Sequence, residues 1–323
     1  MHTCTLRGLI RWCLVAGFLM LSAPISQAAC SFSVTNLDFG AVNLLGAGNR
    51  DSAATVNISC TNTDILSLTY RICLNLNAGG GGPAVSSART LSNGTSTITY
   101  GLFQDAARMT PWGSATATAL GTPPQVNLLV LPGATLTATR TIYGRISGPQ
   151  PSSLGGLHTS LFSGVLGANF TYAPLALATA CSAITQNPTR PQFTVQATVD
   201  RTCNVLAQAL NFGSHGVLKS VVDASSSISV ICSTGLPYSV ALNNGQTGTS
   251  PEQRRMTRQD RFITYGLYRN AERTLPWGPS AAQTIGSIGT GTAQPYPVFG
   301  RIQAQNTPPA GIYNDTVVVT VTY

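Results

Sequence analysis

The chain has 323 residues, only 9% of them charged, with a formal net charge of +8 and 32 glycines and 19 prolines. That length fits two domains of ordinary size, each able to bury its own core. The charge is weak and spread, six Arg against four Asp over 30–172 and ten basic against six acidic side chains over 181–323, which argues against a dedicated nucleic-acid binder and identifies no partner.

In chain order, the first element is a secretory signal. Arg7 and Arg11 form its basic region, Trp12 to Ser22 its apolar stretch, and 26–28 or 27–29 its small-residue cleavage site. The apolar stretch is too short to span a bilayer comfortably. A lipoprotein leader acylated on Cys30 is disfavoured by Gln27, where a lipobox needs Leu. Residues 1–29 are therefore expected to be a signal peptide and the mature chain to be exported.

Strand alternation dominates the mature chain. The expected strands of the first half are 56–60, 68–76, 96–103, 135–146 and 164–172; those of the second are 227–233, 237–243, 262–268, 296–302 and 315–323. The two sets are copies. TYGLFQDAARMTPWG at 99–113 returns as TYGLYRNAERTLPWG at 264–278, LDFG at 37–40 as LNFG at 210–213, and YGRI at 143–146 as FGRI at 299–302. Likewise SLFSGVLGANFTY at 160–172 answers to GIYNDTVVVTVTY at 311–323. Two copies of one domain are fused in tandem. Many short strands broken by Gly, Pro and Asn point to an all-β chain of two immunoglobulin-like sandwiches.

Cys4 and Cys13 fall in the leader, leaving six cysteines, an even number that implies disulfides in an exported chain. The repeat pairs Cys30 with Cys60 and Cys203 with Cys232, and elimination leaves Cys73 for Cys181. There is no C-x-x-C, and His158 and His215 sit near no cysteine cluster, so neither a metal nor a cofactor is expected.

The two copies differ at their ends. In the second, Val317, Val319, Val321 and Tyr323 share one face of the final strand, and no further strand follows. A sandwich without its G strand exposes a hydrophobic groove, which these four residues are expected to flank. In the first copy the matching face is Leu166, Ala168, Phe170 and Tyr172, and the chain continues into PQFTVQATV at 191–199. Its alternating Phe193, Val195, Ala197 and Val199 can serve as that copy's own G strand. The competing reading makes 191–199 the first strand of copy two; the first copy, beginning at Cys30, has no counterpart to it. The expected domains are 30–200 and 201–323.

The paired cysteines around L-[DN]-F-G, the T-Y-G-L-[FY] strand, the P-W-G turn, the [YF]-G-R-I strand and the terminal VTVTY resemble the spore coat protein U domain family. That family also builds subunits of archaic (Csu-type) chaperone–usher pili. The resemblance covers essentially the whole mature chain, twice. It implies pilin-type sandwiches completed by a strand from a neighbour, first from a periplasmic chaperone and then, at an outer-membrane usher, from the adjacent pilin subunit. A two-domain chain that accepts a strand but shows no donor extension before Cys30 resembles a tip adhesin at the distal end of the fibre, on the cell surface, where it would contact an abiotic or host surface in attachment and biofilm formation. A structural protein of a spore or cell coat is the alternative.

Loops in the first copy are longer: 40 positions separate Cys60 from Tyr100 against 33 from Cys232 to Tyr265, and 31 separate Trp112 from Tyr143 against 22 from Trp277 to Phe299. Extra loop length on a shared scaffold is where binding is grafted. Strand parity puts three apolar stretches at the pole away from copy two: Ile65 and Leu66, Leu128–Leu131 with Pro132, and 174–178 with Leu175 and Leu177. Leu129 and Leu131 are the candidates in the middle stretch, which is also read as partly an ordinary buried strand. The Gly/Pro-rich loops at 77–85 and 147–158 are placed at the near pole.

Other chemistries are not supported. Gly79–Gly82 is followed by no Lys or helix, so it reads as a turn rather than a phosphate loop. Arg254, Arg255, Arg258 and Arg261 read as a solvated basic patch. No G-x-S-x-G occurs, and no carboxylate pair stands out; the chain is not expected to be an enzyme.

Overall fold

The computed structural model describes residues 29–82, 88–177 and 180–323. Apart from Ala29, the expected signal peptide lies outside the described residues, as do 83–85 of the Gly/Pro-rich loop at 77–85 and Ala178. Among the described residues the structure is β throughout, with a few single-turn 3-10 helices.

The first sandwich contains β1 (Ala29–Val34), β2 (Leu37–Val42), β3 (Asn49–Thr61), β4 (Leu68–Leu76), β5 (Arg89–Ser92), β6 (Thr97–Phe103), β7 (Gln125–Val130), β8 (Thr135–Ser147), β9 (Gly156–Phe162), β10 (Ala168–Pro174) and β11 (Phe193–Val199). One sheet runs β1-β3-β8-β6-β5-β9-β11-β2 and packs on the sheet β10-β4-β7. Alternation puts Val56 and Ile58 of β3 inside, facing Ile72 and Leu74 of β4 across one core. The second sandwich contains β12 (Cys203–Ala207), β13 (Val222–Cys232), β14 (Pro237–Leu242), β15 (Arg254–Arg258), β16 (Arg261–Tyr268), β17 (Ile285–Ile288), β18 (Gln294–Ile302) and β19 (Val319–Thr322). Its sheets run β12-β13-β18-β16-β15 and β17-β14-β19. The fold is two tandem immunoglobulin-like sandwiches of the pilin type.

β11 closes the first sandwich. It pairs antiparallel with β9, from Phe193 opposite Phe162 to Val199 opposite Gly156. On its other side it pairs parallel with β2, from Val195 opposite Leu37 to Val199 opposite Val42. Phe193, Val195, Ala197 and Val199 are all buried in the core. The strand expected at 164–172 is not the neighbour of β11. Residues Gly164–Leu166 form a 3-10 turn, Leu166 is exposed, and Ala168, Phe170 and Tyr172 sit on β10 in the opposite sheet, paired with β4. The bend between β9 and β10 depends on Gly167, where a Cβ would strike the backbone of Phe162 and Ser163.

The two sandwiches share a polar scaffold. Trp112 Nε1 donates to Leu74 O at 2.7 Å, and Trp277 Nε1 to Val240 O at 3.0 Å. Behind each ring lies a buried arginine. Arg89 donates to the carbonyls of Leu76, Asn77 and Trp112, and Arg254 to those of Asn243, Pro251 and Trp277. Asp51 takes a two-pronged bond from Arg145 and lies 3.2 Å from Arg108; Asp223 does the same with Arg301 and Arg273. Arg108 and Arg273 carry matching positive φ values of 59° and 58°. The basic patch read at 254–261 is therefore corrected: Arg254 is an interior residue, and the segment is a strand and hairpin.

Disulfides join Cys30 to Cys60, Cys73 to Cys181 and Cys203 to Cys232. The first and third cross-link neighbouring strands at matching places in the two copies. The second ties the segment before β11 to β4.

Candidate functional site

The clearest difference between the copies lies along one cleft. In the first sandwich β2 and β9 flank β11. Their counterparts in the second, residues 210–215 and 307–313, form no strand, and among the described residues no strand of this chain lies between them. A cleft of about 700 Å³ opens there. Its walls and floor include Leu210, Phe212, Met256, Ile263, Ile302 and Tyr313. The counterparts beneath β11 are Leu37, Phe39, Leu91, Ile98, Ile146 and Phe162, all at most 1% exposed. In the cleft Leu210, Phe212, Met256, Ile263 and Tyr313 are only half-buried, and Ile312 is 78% exposed. The same scaffold thus covers one apolar trough with its own strand and leaves the other open to solvent.

Val317, Val319 and Val321 do not line this cleft. They lie half-buried against the core, on and just before β19, which pairs with β14; Tyr323 is exposed. The cleft opens one segment earlier, along 307–313. The displacement has the same cause as in the first copy: the chain bends between the segment beside the trough and the segment in the opposite sheet.

The second feature is an apolar pole on the first sandwich. β11 runs towards the second sandwich, so β9, antiparallel to it, runs away and continues through the bend into β10. The far ends of β10, β4 and β7 meet there: Pro174 is opposite Tyr70, and Leu68 opposite Val130. Three loops converge on that end. Asn62, fully buried, holds two of them together by donating through Nδ2 to Val130 O at 2.9 Å and Leu66 O at 2.8 Å, while Gly133 N donates to Asn62 O. The third is fixed by Leu175 N donating to Thr69 O at 2.8 Å. From these loops and the outer face of β7, Ile65, Leu66, Leu129, Leu131 and Leu177 project with 56–91% of their surface exposed. Pro132 is exposed beside them and Leu175 half-buried. Leu128 and Val130 of the middle stretch point into the core instead. Exposed aliphatic groups gathered at one end of a sandwich are uncommon on a protein surface.

The opposite end of the first sandwich faces the second. Thr234 Oγ1 donates to Pro151 O at 2.7 Å, and Leu154 bridges Thr234. Thr234 is the counterpart of Asn62, so the pole that is free in copy one is covered in copy two. The loop at 147–155 lies at this near end. Residues 77–82 do not; Gly79 N and Gly80 N donate to Leu166 O and Leu161 O, midway along the sandwich.

Among the described residues no three His, Cys, Asp or Glu side chains converge as a metal site, and no helix is long and apolar enough to cross a membrane.

The model of the Spore Coat Protein U domain matches residues 16–162 and again 189–320. The chain belongs to the Spore Coat Protein U domain family. The second match opens ahead of β11, so that strand travels with copy two in sequence while completing copy one in space. Over 127 residues the chain is 29% identical to Protein U of Myxococcus xanthus, covering 35% of this chain and 71% of that one. In fold it is similar to a subunit of the CsuC–CsuE chaperone–tip adhesion subunit pre-assembly complex from the archaic chaperone–usher Csu pili of Acinetobacter baumannii. That similarity has a TM-score of 0.51 at 19% identity and covers 91% of this chain and all of the other.

Sequence reasoning missed Asn62, which orders the pole, and the residues that form the cleft floor. Asn62 had no signal beyond an N-T-D turn. The floor residues could have been found by transferring the buried face of the first copy onto the second.

Proposed function

We propose that this Spore Coat Protein U domain protein is the tip adhesin of an archaic chaperone–usher pilus, exported through the periplasm to the cell surface. Its second sandwich accepts a strand, from a periplasmic chaperone first and then, at the outer-membrane usher, from the adjacent pilin subunit. Its first sandwich, residues 30–200, is complete and binds an abiotic or host surface through the apolar pole, in attachment and biofilm formation. One observation carries this reading: β11 seals in copy one the trough that is open in copy two. The unsealed sandwich, residues 201–323, therefore has an unsatisfied apolar face and a ready template for a strand. The fold shared with a pilus tip subunit supports it.

A structural role in a spore or cell coat is the second reading, favoured by the match to Protein U. A coat protein would polymerise through the same cleft but gives no task to the pole. Leu131→Glu and Leu177→Glu separate the two. Both residues are solvent-exposed, so folding and pilus number should be unchanged. Attachment to a hydrophobic surface should fall about tenfold or more, since a buried anchor contributes over about 1.4 kcal/mol. Normal pili with normal attachment would remove the adhesive role from this pole and favour the coat.

A further inference from the structure

Strand acceptance gives no task to the arginines of the β15–β16 hairpin. Arg258 Nη1 donates to Ala310 O at 2.9 Å, and Thr257 pairs with Asn314, so the hairpin forms the outer lip of the cleft. Arg255 lies over the Phe262 ring, 4.4 Å from its centroid. Arg261 is exposed, 3.4 Å from Asp260. Three arginines against one aspartate leave two positive charges on this lip. In the first copy the corresponding positions are Thr90, Asn93 and Ser96, all neutral, although the flanking Arg89 and Tyr100 match Arg254 and Tyr265. At these three hairpin positions positive charge is thus present beside the open trough and absent from the first copy.

The register fixes where along the cleft the lip stands. In the first sandwich Ser92 of β5 and Gln196 of β11 both lie opposite Thr159 of β9. The β5–β6 turn is therefore level with the C-terminal part of β11, and Ser96 Oγ lies 2.8 Å from His158 Nε2, opposite Ala197. A strand seated in the second cleft in the same direction would end level with Arg258 and Arg261, with the 307–313 segment between them.

We propose that the Arg255–Arg258–Arg261 hairpin is an electrostatic lip that captures an acidic surface of the partner protein immediately after its inserted strand. The inference rests on the strand-accepting reading of the cleft. Exposed rim charges act on encounter rate and salt dependence more than on final affinity, which suits a site where one strand must find an open trough.

The test uses the full chain and three peptides built on the 191–199 sequence PQFTVQATV, followed by a neutral Gly/Ser, an acidic Asp/Glu or a basic Lys/Arg tail. At low salt the acidic-tailed peptide should associate on the order of 10-fold faster than the neutral one. The advantage should vanish at about 0.5 M salt. It should reverse in R255E/R261E, which spares the Arg258 contact with Ala310, while the neutral peptide binds both proteins alike. Equal association rates for all three tails, with the neutral peptide binding, would overturn the lip and leave the cleft standing. Failure of every peptide to bind would overturn the strand-accepting reading, and the lip with it.

Discussion

Arg89 and Arg254 are interior guanidinium groups whose bonds run to backbone carbonyls. Burial lowers the pKa of each to about 10, so both remain charged at neutral pH. Each gathers the carbonyl of its tryptophan and those at the end of a core strand, which would otherwise be buried without donors. Arg89→Met and Arg254→Met are each expected to cost about 3–5 kcal/mol, by removing one partner from a buried polar cluster; urea unfolding measures it. The repeated turn leading to Trp112 and Trp277 is visible in sequence, but the role of the arginines is not: Arg254 stands beside three arginines of the surface hairpin, and only its burial distinguishes it. Asp51 and Asp223 behave differently. The two-pronged bonds from Arg145 and Arg301 hold their carboxyls below the ordinary value, helped by Arg108 and Arg273 and opposed by burial. A carboxylate whose pKa is lowered on folding adds stability above its unfolded pKa and loses it as pH falls through the folded value. Solvent screening keeps each contribution within about 1 kcal/mol. Asp51→Asn should therefore destabilise at neutral pH, and the gap from the parent should close progressively as pH drops below the ordinary carboxylate range.

At the scale of elements, long alternating strands are legible in the sequence and short or interrupted ones are not. β4, β8 and β18 announce themselves by period-two patterning, and β11 by Phe193, Val195, Ala197 and Val199. β9 reads GLHTSLF, and its inward positions are His158, Ser160 and Phe162, too polar a face to signal a core strand. His158 is accommodated by Ser96 and by the carbonyl of Gly156, a solution that only the tertiary fold provides. Missing β9 displaces the expected groove onto the next segment, around Val317, Val319 and Val321. β2 stands out as a repeated motif and not as a strand, because LDFG contains a left-handed glycine, Gly40, at φ 67°. The polar loop residue Asn62 belongs to the same class: its role exists only once β3, β7 and the loop between β3 and β4 are brought together.

At the scale of the whole molecule, one duplicated sandwich takes two forms by a single shift. The strand that precedes Cys203 in sequence completes the preceding domain, which turns a pair of matching scaffolds into a finished head and an unfinished tail. The head keeps a free apolar pole; the tail's corresponding pole is covered by the 147–155 loop through Thr234. The polarity proposed above, with contact surface at one end and strand acceptance along the other sandwich, follows from this order. Hydrogen–deuterium exchange on the full chain tests this most directly, because each copy is the control for the other. Without any partner, amides of 37–42 and 156–162 should be protected and those of 210–215 and 307–313 should exchange rapidly. Adding a strand peptide of sequence PQFTVQATV should slow exchange at 210–215 and 307–313 and leave the first copy unchanged. Protection of 210–215 and 307–313 equal to that of 37–42 and 156–162 before any peptide is added would contradict an open, strand-accepting second sandwich.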